Sequence, residues 1–205
     1  FSKWMVKSFG KQPVLMSWVN PALRASVAQT VLRNHGYLHS QVTYEEIPQK
    51  SPKKSKIGYN VNVGKLFTVD TLSYVNFPDE ADSLINAYSS EAVVKKGTPL
   101  SVSNLDGERQ RLYTMFRDNG YYYYQSGFAS YLADTLAEPN KARLRLQLAS
   151  GLPEGALHKW HIGNIHINMQ RTYTEPLTDS LHFRFFSMNY NGKKPPLRPR
   201  VIMRD

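Results

Sequence analysis

Apolar positions along this chain alternate between a helical period and a strand period. In "NPALRASVAQTVLRNHG", Leu23, Val27 and Val31 recur every four residues with Ala28 and Leu32 beside them, which predicts a helix with one buried stripe. Asn20 suits the N-cap, Pro21 the first helical position, and Gly36 a left-handed C-cap. In "SVSNLDGERQRLYTMFRDNG" the stripe is Leu105, Leu112, Met115 and Phe116; Ser103 with Asp106 resembles a capping box, and Gly120 closes the helix. A shorter helix fits "PDEADSLINAYSS", where Leu84, Ile85 and Tyr88 share a face. Period-two alternation replaces the helical period in "KIGYNVNVG" (Ile57, Tyr59, Val61, Val63) and "ARLRLQLAS" (Leu144, Leu146, Leu148), which predicts strands.

Nearly the same nine residues occur twice, "NHGYLHSQV" at 34–42 and "DNGYYYYQS" at 118–126. At an offset of 84, Arg33 falls on Arg117, Gly36 on Gly120, Tyr37 on Tyr121 and Gln41 on Gln125. A helix precedes each copy. Aromatic and β-branched chain follows each, and a later alternating run completes a β-hairpin. A second similarity opens the unit: "GKLFTVDTLSYV" and "GALHKWHIGNIHIN" set Phe67, Val69 and Leu72 against Trp160, Ile162 and Ile165, and the parity break predicts a bulge in an opening strand. The complete unit reads strand, helix, helix, strand, strand. Three modules are expected: 1–63, with an ill-defined opening strand in "KWMVKSFGKQPVLMSW"; 64–152, complete; and 153–205, an opening strand and linker of a truncated third. The basic, proline-rich "NYNGKKPPLRPRVIMRD" reads as linker, with no helical stripe and no hairpin.

This order, the helix ending in Gly-Tyr before a strand, and the aromatic-x-aliphatic-x-x-aliphatic opening strand together resemble the polypeptide-transport-associated (POTRA) domain. The resemblance is strongest to the periplasmic arm of outer-membrane β-barrel assembly and translocation factors, among their divergent bacterial members. The glycine that the family often places after the first strand is absent: "YVNFPDE" has Asn76 and Pro78 there, and "HINMQRT" has Asn168 and Gln170. The resemblance implies an α+β fold of tandem modules, each β-α-α-β-β with a three-stranded mixed sheet packed on two helices. It implies a monomeric, non-enzymatic scaffold without cofactor or metal in the periplasm of a Gram-negative bacterium. Its implied partners are unfolded outer-membrane proteins, its own C-terminal membrane barrel and accessory assembly subunits. Clients would bind by β-augmentation, adding a strand to an open sheet edge. The family's second strand lies at that edge, which maps to residues 37–47 and 121–132. The implied client-binding residues are Tyr37, Leu38, His39, Gln41, Val42, Tyr44, Tyr121, Tyr122, Tyr123, Tyr124, Phe128 and Tyr131.

Charge admits one rival. Lys and Arg outnumber Asp and Glu by 26 to 16, giving +10, so a nucleic-acid-binding protein could use Tyr122 and Tyr124 as a stacking platform with Lys53, Lys54 and Lys56 of "KSPKKSK". Strand alternation would instead put Tyr121 and Tyr123 on one face and Tyr122 and Tyr124 on the other, leaving half of them in the core, and "KSPKKSK" has the composition of a solvated hairpin loop. No nucleic acid is therefore expected. Arg109, Arg111 and Arg117 read as the solvent face of their helix. The absence of cysteine excludes disulfides, thiolate chemistry and Cys-ligated zinc. His158, His161, His166 and His182 lie close in sequence, but no carboxylate completes a ligand set. No Gly-rich phosphate loop, G-x-S-x-G or H-E-x-x-H is present, and the acidic pairs Glu45–Glu46 and Asp79–Glu80 are sequence neighbours, so no catalytic constellation is expected. No run of 18 apolar residues could span a bilayer, and a signal peptide and barrel are expected outside this sequence.

Overall fold

The computed structural model describes residues 14–15, 18–51 and 54–202, in two compact units, 1–157 and 158–205. The predicted opening strand of the first module lies largely outside the described residues. Helix α1 (Pro21–Asn34) begins as its sequence dictates, with Asn20 Oδ1 accepting from Leu23 N at 3.0 Å and Pro21 at its start. Strands β1 (Gln41–Pro48) and β2 (Ser55–Asn62) follow as the expected hairpin, in antiparallel register from Gln41 with Asn62 to Pro48 with Ser55. The helical stripe is a correction. Leu23, Val27 and Val31 are 59%, 54% and 49% exposed, and Ala25 is the buried residue of α1. Tyr59, Val61 and Val63 are exposed too. What buries the matching stripe in the second module is a second helix and a parallel strand. Neither has a counterpart among the described residues of the first.

The stretch expected as the second module lies with the first in the unit 1–157 and carries all five expected elements. Strand β3 (Thr68–Val75), helices α2 (Asp79–Ala87) and α3 (Val102–Asp118), and strands β4 (Ala129–Asp134) and β5 (Lys141–Leu148) follow in the expected order. The sheet order is β3-β5-β4, with β5 central, parallel to β3 and antiparallel to β4. The predicted bulge is present, as the β3–β5 register shifts between Val69 and Thr71. Along β5, Ala142, Leu144, Leu146 and Leu148 are buried while Lys141, Arg143 and Arg145 are exposed, the period-two pattern of a sheet with one covered face. Leu112, Met115 and Phe116 of α3 meet that face together with Ala81 and Ile85 of α2. The N-cap of α3 is Ser101, whose side chain accepts from Asn104 N, and not Ser103.

The repeated "Gly-Tyr" is the same helix end twice. Tyr37 N donates to Leu32 O at 3.0 Å and Gly36 N to Arg33 O at 2.9 Å; Tyr121 N donates to Phe116 O at 2.9 Å and Gly120 N to Arg117 O at 3.1 Å. This pair of bonds, with φ of +97° at Gly36 and +91° at Gly120, is the Schellman arrangement that favours glycine. The first copy also forms the joint between modules. Gly36 O accepts from Phe67 N at 2.9 Å, His39 meets the Phe67 ring edge-on at 5.2 Å, and Leu38 packs on the cluster of Phe67, Val69 and Leu100. A Cβ at Gly36 would lie 2.9 Å from Leu100 O.

The unit 158–205 overturns the expected linker. Strands β6 (Ile165–Met169), β7 (Asp179–Phe183) and β8 (Phe186–Tyr190) form a sheet of order β6-β8-β7, with β6 parallel to β8 and β7–β8 a hairpin. This is the strand order and polarity of the second module's sheet, with residues 170–178 in place of its two helices. Phe186, Met188 and Tyr190 form its core with Ile167, Met169, Leu181 and Phe183. The alternation is legible once the stretch before Asn191 is separated from the proline-rich tail, whose described residues include the short helix α4 (Pro199–Ile202). Trp160 and Ile162 lie in irregular, exposed chain ahead of β6, so their match to Phe67 and Val69 fails.

Gly36→Ala should destabilise the protein clearly more than Gly97→Ala. Both glycines hold a positive φ, a cost of about 1 kcal/mol to alanine, but a Cβ at Gly97 meets nothing within 4 Å whereas one at Gly36 displaces a backbone carbonyl. Urea unfolding of the two variants decides this; equal losses would mean that the joint is loosely packed.

Candidate functional site

The second module's sheet has two edges of unequal character. The outer side of β3 is already occupied: Val69 N donates to Thr98 O at 2.8 Å, Gly97 N to Val69 O at 2.7 Å and Leu100 N to Phe67 O at 2.9 Å, with Lys96 reaching Asp70 at 3.3 Å. The outer side of β4 has no such cover among the described residues of the unit 1–157. Ala149 N donates to Phe128 O at 2.8 Å, and in this register antiparallel pairs alternate between bonded and non-bonded. The ladder to β5 therefore uses Ser130, Leu132 and Asp134. The N–H and C=O groups of Ala129, Tyr131 and Ala133 point away from the sheet.

The twelve residues expected at client-binding edges divide accordingly. Gln41, Val42 and Tyr44 lie on β1, and Tyr131 lies on β4. Phe128 ends the short 3-10 turn Ser126–Phe128 that leads into β4. Tyr37, Leu38 and His39 are in the turn between α1 and β1, not on a strand. Residues 121–124 are likewise a correction. Tyr124 N donates to Tyr121 O at 3.0 Å, so the chain turns directly after the helix and positions three apart share a face. Tyr121 and Tyr124 are each 1% exposed, while Tyr122 and Tyr123 face outward. Burial pushes the Tyr124 hydroxyl up to about 12. The stacking platform of the rival nucleic-acid reading loses Tyr124, and Lys53 lies outside the described residues.

Behind the edge is a buried carboxylate. Glu108 is fully buried; its Oε1 accepts from Tyr74 Oη at 2.7 Å and from Arg111 Nη2 at 2.6 Å, and its Oε2 accepts from Val93 N at 2.6 Å and Val94 N at 3.3 Å. Burial alone would raise its pKa, but hydrogen bonds from Arg111 and Tyr74, the Arg111 charge and the Val93 amide hold it below the usual carboxylate range. Burial first, then the Glu108 carboxylate, raises Tyr74. Tyr131 Oη donates to Leu105 O at 3.1 Å and so fastens the edge strand to α3, where burial raises its pKa as well.

Sequence reasoning missed Glu108 and read Arg111 as solvent-facing. Arg111 is nearly buried in the ion pair and Arg109 Nε donates to Ser126 O at 2.9 Å, while Arg117 is exposed, as expected, with its guanidinium over the rings of Tyr113 and Tyr122. A signal was present: Glu108 falls on the stripe of Leu105, Leu112 and Met115, where an acid needs partners. His166 Nδ1 meets Ser187 Oγ at 2.6 Å, and no group of three His, Asp or Glu placed to hold a metal occurs among the described residues. No helix among them is long and apolar enough to cross a membrane.

No protein-family model matches this chain, and no curated protein matches it. Among solved structures it is similar to BamA from Haemophilus ducreyi lacking POTRA domains 1–3, at 13% identity and a TM-score of 0.41, covering 71% of this chain and 25% of that one. It is also similar to POTRA domains 3–5 of Haemophilus influenzae BamA (10% identity, TM-score 0.37, 75% and 56% covered). A third similarity is to the N-terminal domain of Omp85 from Thermosynechococcus elongatus (16% identity, TM-score 0.31, 62% and 50% covered). The chain thus spans between a quarter and little more than half of these structures. Its own strand order and register carry the fold: an α+β chain with a POTRA-like β-α-α-β-β module at its centre.

Glu108→Gln should cost about 3–5 kcal/mol at neutral pH, because it leaves Arg111 buried without its counter-charge. With the folded pKa lowered, the stabilisation from Glu108 is complete above the unfolded value near ~4.3 and is lost as pH falls through the folded value. Acid titration of stability should therefore be steeper in the wild type than in the variant. Parallel curves would contradict this.

Proposed function

We propose that this chain is part of the periplasmic arm of an outer-membrane protein assembly or translocation factor. In this reading it captures extended segments of unfolded outer-membrane proteins by strand addition and passes them to a membrane barrel elsewhere in the same polypeptide. It acts without catalysis, cofactor or metal, as a monomer. The observation that carries the reading is the asymmetry of the central sheet, whose β3 edge is closed by residues 97–100 while the β4 edge is open among the described residues of its own unit. Three consecutive outward pairs of N–H and C=O offer a client three sites for antiparallel or parallel pairing. Backbone supplies the affinity, so client sequence can vary. Leu132, more than half exposed on the same strand, adds an apolar contact on the face away from the helices. β1 of the first module is a second edge of the same kind, and accessory subunits are further candidate partners for either edge.

A peptide of alternating apolar and polar residues, titrated into the ¹⁵N-labelled chain, should shift resonances of Ala129–Asp134, with little change as salt rises. Ala133→Pro should abolish those shifts with a small change in stability, since it removes an outward donor and no ladder bond. Shifts confined to Lys54 and Lys56 with single-stranded DNA, fading with salt, would instead favour the nucleic-acid reading.

A further inference from the structure

We propose that the turn following α3 holds a binding site for an acidic sugar, a pyranose ring carrying a carboxylate. Arg117 supplies the charge. Its guanidinium carbon lies 4.8 Å from the centre of the Tyr122 ring and 5.4 Å from that of Tyr113, and Nη1 donates to Tyr113 Oη at 2.6 Å. Aromatic faces thus hold the cation in place, and no carboxylate pairs with it among the described residues. A guanidinium fixed in this way presents its remaining N–H groups as a pre-organised fork, the geometry that suits a carboxylate.

The ring of the ligand has a platform beside this fork. Tyr122 and Tyr123 are 58% and 52% exposed and stand at 82° to each other with ring centres 5.1 Å apart, forming an aromatic corner. The C–H face of a pyranose is apolar and stacks on such a ring, while its hydroxyls need planar donors and acceptors. Gln125 and Ser126 line the same cavity of about 440 Å³, a volume typical of small-molecule sites. The platform is rigid: the neighbouring Tyr121 and Tyr124 are buried, and Arg109 holds Ser126 O. A nucleic acid fits less well, because Arg117 already covers one face of Tyr122 and is the one cation among the lining residues.

This site is independent of the strand-binding reading, and its test is separate. The ¹⁵N-labelled chain would be titrated with glucuronic acid, glucose, acetate and the alternating peptide. Glucuronic acid should give saturable shifts at Tyr113, Arg117 and residues 122–126, with glucose roughly tenfold weaker and acetate not saturable. Arg117→Gln should weaken glucuronic acid roughly tenfold and remove its advantage over glucose, and Tyr122→Ala should abolish binding of both. Both side chains are exposed, so the core resonances should stay unchanged. Equal response to acetate would reduce the site to a bare anion contact and overturn the proposal, as would equal affinity for glucose. Shifts of the same residues with the peptide alone would assign the corner to strand capture and overturn it too.

Discussion

A fully buried carboxylate is costly unless its oxygens are met, and that constraint organises the central module. Glu108 draws donors from three places at once: Tyr74 on β3, the amides of Val93 and Val94 ahead of α3, and Arg111 one turn along α3 itself. Any rotation of α3 against the sheet would strand at least one of these groups without a partner. The helix is therefore fixed in azimuth by polar contacts, and its apolar stripe then meets β5. Tyr131 ties β4 to the same helix through Leu105 O, so the position of the open edge follows from the position of α3.

The repeated nonapeptide shows how one local solution serves two purposes. Helix-end hydrogen bonds are matched bond for bond at the offset of 84, because glycine with positive φ is what that end needs. Beyond the turn the copies diverge. The first leads into β1 at Gln41 and its glycine seats Phe67 of the next module; the second inserts the turn Ser126–Phe128 before β4 begins. The two are thus joined directly through a helix cap.

Legibility in the sequence tracked the length scale of the cause. The alternation of Leu144, Leu146 and Leu148, the bulge after Val69 and the stripe of α3 were all readable, since each depends on the periodicity of its own segment. Leu23, Val27 and Val31 failed the same test because burial requires a partner, and pattern alone does not supply one. The four consecutive tyrosines misled for a different reason: a helix cap turns the chain at Tyr121–Tyr124 spacing of three, which inverts the alternation a strand would impose. Glu108 lay on a legible face but its donors come from positions 34 and 15 residues away, at Tyr74 and Val93. The hairpin of β7 and β8 was obscured by the basic tail that follows it.

Native-state hydrogen exchange along β4 tests the central claim most directly, because amide protection reports each N–H separately. An open edge predicts alternation: Ser130, Leu132 and Asp134, bonded to β5, exchange slowly, and Ala129, Tyr131 and Ala133 exchange fast until a strand-forming peptide slows them. Uniform protection of all six amides in the free chain, or no added protection at Ala129, Tyr131 and Ala133 with saturating peptide, would contradict the account.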